Sequence, residues 1–171
     1  HFILVTGLLD RLTEDGRVVM LSSEGHKMAP RAGVELDNLD GKRGYGDLKM
    51  YGQSKMANVL FAKELARRFK GTRRTANAVH PGVIQTNLGR HLNPFTRALA
   101  TIAEPLLMKS IEQGAATQVY AATNPALRNV SGEYLASSNV AKARKDADDA
   151  VLARRLWEAS EKIAAEVGAT R

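Results

Sequence analysis

The chain has 171 residues, is 44% hydrophobic and 25% charged, and carries 25 Lys and Arg against 18 Asp and Glu, a formal net charge of +7. That length fits one domain with a buried core, and the composition is that of an ordinary globular protein. There is no cysteine, which excludes disulfides, thiol catalysis and cysteine-ligated metals, and the histidines at 1, 26, 80 and 91 show no zinc spacing.

No apolar run reaches the roughly 18 residues that cross a bilayer. The chain is therefore expected to carry no membrane segment and to be cytoplasmic, unless a stretch upstream of His1 holds an anchor or signal. The excess positive charge suits an anionic partner such as nucleic acid, a membrane surface or a phosphorylated cofactor. Its densest cluster is Lys63, Arg67, Arg68, Lys70, Arg73 and Arg74. Lys63 and Arg67 share one helix face and Phe69 falls on the apolar side, so a solvated helix face is the simpler reading. No groove-reading motif accompanies the charge, and no specific nucleic-acid partner is expected.

In chain order, Phe2, Ile3, Val5, Leu8, Leu9 and Leu12 form a helical stripe, already in mid-pattern at His1, as in part of something longer. After the turn Glu14-Asp15-Gly16, the run Arg17 to Ser23 predicts a strand apolar on both faces, which suits a parallel sheet covered by helices. Glu24 to Met50 is broken by glycine and proline and predicts a long functional loop. From Asp47 or Lys49-Met50 a helix follows, with Met56, Val59, Leu60, Ala62, Leu65, Ala66 and Phe69 inward. Gly71-Thr72 ends it. Arg74 to His80 predicts a second strand, stopped by Pro81-Gly82. Gln85 to Pro94 reads as loop or short helix, and Phe95 to Met108 and Ile111 to Ala122 as helices. Ser131 to Leu135 is a short third strand. Asp148 to Val167 is a helix with Val151, Leu152, Leu156, Trp157 and Ile163 on its inner face. The alternation predicts a single α/β unit with no internal boundary.

In an open parallel sheet, ligands bind beyond the carboxyl ends of the strands. Three features converge there: Ser22-Ser23, His80-Pro81-Gly82, and Tyr51 on the intervening helix. Tyr51 and Lys55 lie one turn apart on one face. A nearby ammonium favours phenolate and draws a phenol toward the range where acid–base catalysis works. A serine hydroxyl beside it can hold a substrate oxygen. Singly, each has a plainer reading: a packed Tyr, a capping Ser, a strand-ending turn. Their order and placement outweigh those readings.

Gly16-Arg17-Val18-Val19-Met20-Leu21-Ser22-Ser23, Tyr51-Gly52-Gln53-Ser54-Lys55-Met56-Ala57-Asn58-Val59-Leu60-Phe61, His80-Pro81-Gly82-Val83-Ile84-Gln85-Thr86 and Glu112-Gln113-Gly114-Ala115 carry a resemblance. Together they resemble the carboxyl-terminal half to two-thirds of a short-chain dehydrogenase/reductase, nearest its retinol dehydrogenase-like and WW-domain oxidoreductase-like branch. The resemblance implies a partial Rossmann-like doubly wound sheet, its three carboxyl-terminal strands with flanking helices, in one partial domain spanning 1–171. It implies an NAD(P)-dependent oxidoreductase interconverting a carbonyl and an alcohol. Tyr51 would be the acid or base, Lys55 would lower its pKa and hold the nicotinamide ribose, and Ser23 rather than Ser22 would orient the substrate oxygen. Pro81, Gly82 and Val83 would line the nicotinamide pocket and Thr86 would bond the carboxamide. The cofactor would be NAD or NADP, with a slight preference for NADP. The partner would be a small carbonyl or alcohol, and a homo-oligomer is compatible with the family.

Two departures qualify this. The Gly-rich turn that seats the pyrophosphate is absent, and Gly41-Lys42-Arg43-Gly44-Tyr45-Gly46 follows no strand and cannot replace it. The family's catalytic Asn lies just upstream of a Gly-His-Phe segment, and this chain begins at that His and Phe. The expectation is a fragment that is inactive alone, with an unpaired edge along Val18 to Leu21 that leaves it poorly stable, aggregation-prone or completed by another chain. A non-catalytic interaction remnant of the same fold and a basic anion binder are the rival readings. Phe95, Leu99, Leu106 and Met108 are candidates for an apolar substrate pocket, although ordinary core is the plainer reading for such residues.

Overall fold

The alternation of side chains along three short parallel strands creates two faces to be covered. In a computed structural model, which describes residues 1–83 and 109–168, β1 (Arg17–Leu21), β2 (Thr75–His80) and β3 (Tyr134–Ala136) run parallel. Val18 lies opposite Ala76, Met20 opposite Ala78, and Ala78 in turn opposite Tyr134. Successive strand residues point to opposite faces. Val18, Met20, Ala76, Ala78 and Tyr134 thus enter the larger core, while Val19, Val79 and Leu135 enter a smaller one.

Helices cover both faces. α1 (Phe2–Leu8), α2 (Asp47–Arg68) and α4 (Ala150–Glu166) pack the larger core, and α3 (Ile111–Thr123) the smaller. The small side chains of Ala76 and Ala78 leave room for Met56, Val59 and Leu60 of α2, all fully buried. Trp157 of α4 stacks on Phe61 of α2 at 5.4 Å between centroids and meets Phe2 of α1 edge-on at 5.0 Å. Arg68 lies 3.9 Å from the Trp157 ring centroid, a cation–π contact. The ends are capped as the sequence allows. Ser110 and Gln113 form a capping box on α3, and Asp149 accepts from two backbone N–H groups of α4. At the other end of α3 the Arg17 guanidinium donates to the carbonyls of Ala121 and Asn124.

Among the described residues the sheet has four strands where three were expected. After β3 the chain reverses through Ser137 and Ser138, both at positive φ (49° and 57°), into β4 (Asn139–Ala141), which pairs antiparallel with β3. Such a turn ordinarily announces itself with Gly or Asn, and Ser-Ser carries no such signal. The inner face of α4 also differs. Leu152, Leu156 and Trp157 are buried as expected, but Val151 and Ile163 are exposed, and Ala153 and Ala164 take their places. The loop between β1 and α2 is tied down. Short 3₁₀ turns cover Glu24–Met28 and Leu36–Asn38, and the buried Gln53 accepts the Glu35 N–H at 2.8 Å. The helix expected over 95–108 and the loop or short helix expected over 85–94 lie outside the described residues.

Among the described residues, five of the six cations of the basic segment hold protein partners. Lys63 donates to the Gly132 carbonyl and pairs with Asp148, Arg67 and Arg68 share the buried Glu64, and Arg73 pairs with Glu14. Arg74 donates to the carbonyls of Leu12 and Thr13.

Candidate active site

β1 ends at two serines with different tasks. Ser22 is buried; its N–H donates to the Val79 carbonyl and its hydroxyl to the Lys55 carbonyl, each at 2.8 Å. It fastens β1 to β2 and α2. Ser23 emerges half-buried with an extended backbone and caps the turn Glu24–Met28, its Oγ accepting the Gly25 N–H at 3.0 Å. Its hydroxyl hydrogen has no acceptor among the described residues.

Tyr51 and Lys55 lie on one face of α2, as their spacing requires. The Lys55 ammonium sits 5.6 Å from the Tyr51 ring centroid, over its face. Neither the phenol hydroxyl nor the ammonium is hydrogen-bonded among the described residues, and Tyr51 is 40% exposed.

Two glycines press the serine turn against α2. A Cβ on Gly25 would fall 2.3 Å from Cε1 of Tyr51, so the turn rests directly on the phenol ring. A Cβ on Gly52 would fall 2.5 Å from the Ala29 nitrogen and the Met28 carbonyl carbon. Ser23, Tyr51 and Lys55 are thereby brought to one place at the carboxyl ends of β1 and β2.

His80 closes β2, and its Nδ1 accepts the Glu24 N–H at 3.3 Å. Burial holds this imidazole below its ordinary pKa of 6.5, against the opposing pull of the Glu24 carboxylate and with the help of nearby Lys109. Beyond it the chain leaves the sheet through Pro81, Gly82 and Val83. Gly82 takes φ +95°, and the Lys109 side chain lies across it: a Cβ there would fall 2.6 Å from Lys109 Cδ. The Lys109 N–H donates to the Val83 carbonyl at 2.8 Å, while the Val83 side chain faces solvent. Thr86 and the apolar-pocket candidates Phe95, Leu99, Leu106 and Met108 lie outside the described residues.

Among the described residues no His, Asp and Glu cluster could hold a metal ion, and no helix is long and apolar enough to cross a membrane.

The family model described as enoyl-(acyl carrier protein) reductase, a short-chain alcohol dehydrogenase model, matches residues 15–138. The chain belongs to the short-chain dehydrogenase/reductase family of NAD(P)-dependent oxidoreductases. It is 39% identical to short-chain dehydrogenase TIC 32 A, chloroplastic, of Brassica napus, over 95% of this chain and 53% of that protein. It is 36% identical to human retinol dehydrogenase 14 over 94% of this chain and 48% of that protein, and 38% identical to human retinol dehydrogenase 13 over 95% and 50%. The chain therefore spans about half the length of the curated relatives it matches. Among solved structures, an uncharacterized protein from Mycobacterium paratuberculosis superposes with a TM-score of 0.71 at 31% identity, over 95% of this chain and 54% of that one. A blue fluorescent protein from a metagenomic library, solved in complex with NADPH, shares the fold with a TM-score of 0.57 at 22% identity, over 79% and 49% of the two chains.

Sequence reasoning missed three contributors to the site: Gly25, His26 and Arg144. Gly25 looked like one more loop breaker. His26 drew notice only as a histidine without metal spacing, yet it is fully buried beside Ser23. Arg144 lies 118 positions from the His26 it contacts, and no local pattern announces such a pairing.

Proposed function

We propose that the full-length gene product containing this chain is an NAD(P)-dependent oxidoreductase that interconverts a small carbonyl and its alcohol. The observation that carries this reading is the uncommitted phenol of Tyr51 and ammonium of Lys55 on one face of α2, with the Ser23 turn lying on the phenol ring. In reduction, Ser23 donates its hydroxyl hydrogen to the substrate carbonyl oxygen and fixes its position, and Tyr51 gives that oxygen a proton. In oxidation Tyr51 takes the proton back. The Lys55 charge stabilises the phenolate left behind. The nicotinamide, when bound, supplies or takes up the hydride.

The residues present fit the nicotinamide end of such a cofactor. The phenol of Tyr51 and the ammonium of Lys55 carry no hydrogen bond among the described residues, and Pro81, Gly82 and the exposed Val83, which follow the end of β2, are assigned the nicotinamide pocket. Thr86 is assigned the carboxamide. The Gly41 to Gly46 stretch lies between a 3₁₀ turn and α2, following no strand, so it offers no pyrophosphate seat. That end of the cofactor would rest on other residues, and the 171-residue chain alone is proposed to be inactive. NADP is preferred over NAD, and the retinol dehydrogenase relatives favour an apolar substrate.

The test is Tyr51→Phe in the full-length gene product, assayed with NADPH and all-trans-retinal. Turnover is expected to fall by at least about 100-fold, the lower range for losing a general acid, with cofactor affinity retained. Turnover at the wild-type rate would remove Tyr51 from the mechanism.

A further inference from the structure

The peptide unit joining Ser23 to Glu24 is held at both of its polar ends by an imidazole. Its carbonyl accepts from His26 Nδ1 at 2.7 Å, and its N–H donates to His80 Nδ1 at 3.3 Å. The two rings play opposite roles, and their surroundings determine which. His26 is fully buried, and its Nε2 accepts the backbone N–H of Arg144 at 3.0 Å. A nitrogen accepting from a backbone N–H carries no proton, so in neutral His26 the proton sits on Nδ1 and points at the Ser23 carbonyl. His80 must be the other tautomer, protonated on Nε2, because its Nδ1 accepts.

Arg144 fastens the rest of the turn. Its guanidinium donates to the carbonyls of Lys27, Ala29 and Pro30 and pairs with Asp146. The Ser23 carbonyl also accepts the His26 backbone N–H at 3.0 Å. Without the His26 ring it would keep that single bond, and the peptide plane would be free to rock. The Ser23 Oγ is one residue's geometry away from that plane.

From this geometry we infer that His26 is a positioning residue: through its Nδ1–H it fixes the Ser23–Glu24 peptide plane, and with it the direction of the Ser23 hydroxyl. The inference rests on the catalytic reading of Ser23. It differs from a general packing role because the two ring nitrogens of His26 do separate jobs, and each can be removed alone. Asn places an amide where Nδ1 stands and keeps the bond to Ser23 while losing Arg144. Gln reaches the Nε2 position and keeps Arg144 while losing Ser23.

The experiment compares His26→Asn with His26→Gln in the full-length gene product, using NADPH and all-trans-retinal. Each variant loses one buried hydrogen bond, so similar drops in Tm are expected. His26→Gln should lower kcat by about 10- to 100-fold, the scale of misplacing a reacting group, with KM for NADPH little changed. His26→Asn should stay within about 3-fold of wild type, because the group that positions the serine is kept. Independently of any substrate, amide hydrogen exchange at Glu24 should be faster in the Gln variant than in the Asn variant, and nitrogen NMR should show His26 as the Nδ1–H tautomer.

Equal kcat and equal Glu24 exchange in the two variants, or an Nε2–H tautomer of His26, would overturn the inference. The catalytic reading fails separately. If Tyr51→Phe is fully active while His26→Gln is impaired, the acid assignment is lost and the serine's positioning stands.

Discussion

Protonating His80 removes the lone pair that accepts the Glu24 N–H, so the serine turn loses one of its fastenings when this histidine becomes a cation. Its folded pKa lies below the ordinary 6.5 because burial disfavours the cation. The unfolded chain therefore binds the proton more readily, and folding stability rises with pH across this window. The stabilisation is fully present above the unfolded value and is lost as the pH falls through the folded one. The urea midpoint of the full-length protein is expected to fall between pH 7.5 and pH 5 more steeply for wild type than for His80→Asn, whose Oδ1 accepts the same N–H without titrating. Parallel profiles would separate His80 from the acid response. At this scale the sequence was informative about identity and silent about partners. Tyr51 and Lys55 stood out because their types and spacing match a proton-transfer task, the Ser22-Ser23 pair because it ends a strand beside them, and Ser23 within that pair only through the family resemblance. The resemblance already set Ser23 apart from Ser22; the bond from Ser22 to the Lys55 carbonyl shows what Ser22 does instead. The role of His26 depends on a residue 118 positions away.

Among the elements, α2 governs the site, and its glycine explains how. A helix interior normally disfavours glycine by about 1 kcal/mol relative to alanine. Gly52 keeps its place because the backbone at Met28 and Ala29 lies where a methyl would go. Those atoms are main chain and cannot swing aside as a side chain would. Gly52→Ala should therefore destabilise the protein by about 1–3 kcal/mol by overpacking, despite its better helix propensity, and should loosen the serine turn from Tyr51. A thermal melt checks the sign, since propensity alone predicts the opposite. Strong periodicity made α2 and α4 legible, and α2 begins at Asp47, one of the two starts expected. α4, however, buries Ala153 and Ala164 where Val151 and Ile163 looked better suited. Burial follows the angle at which a helix meets its neighbours, which hydrophobicity alone does not encode. β4 went unread because two serines fill a turn that usually needs glycine or asparagine.

For the whole molecule, the sheet is lopsided. β2 is paired on both sides and β3 is protected by β4, but β1 has a strand partner on one edge only among the described residues. Leu21 at its end is 43% exposed. An open edge carrying apolar residues invites a further strand. We expect the 171-residue chain, prepared by itself, to associate in a concentration-dependent way or to bind a polypeptide that extends the sheet past β1. Light scattering together with calorimetry decides this: a monomer melting cooperatively at about 45–65 °C, the ordinary mesophile range, would refute it.

The contact between Arg144 and His26 also orders events in time. When the serine, tyrosine and lysine have all been made, the residue that locks the tautomer of His26 is still 89 codons beyond Lys55. At ~5–20 residues per second, that is about 4–18 s during which these three side chains exist without a fixed serine turn. β1 and β2 are therefore made well before His26 acquires its partner, and a ribosome that stops short of Arg144 releases a chain holding Ser23, Tyr51 and Lys55 with the serine turn unfastened.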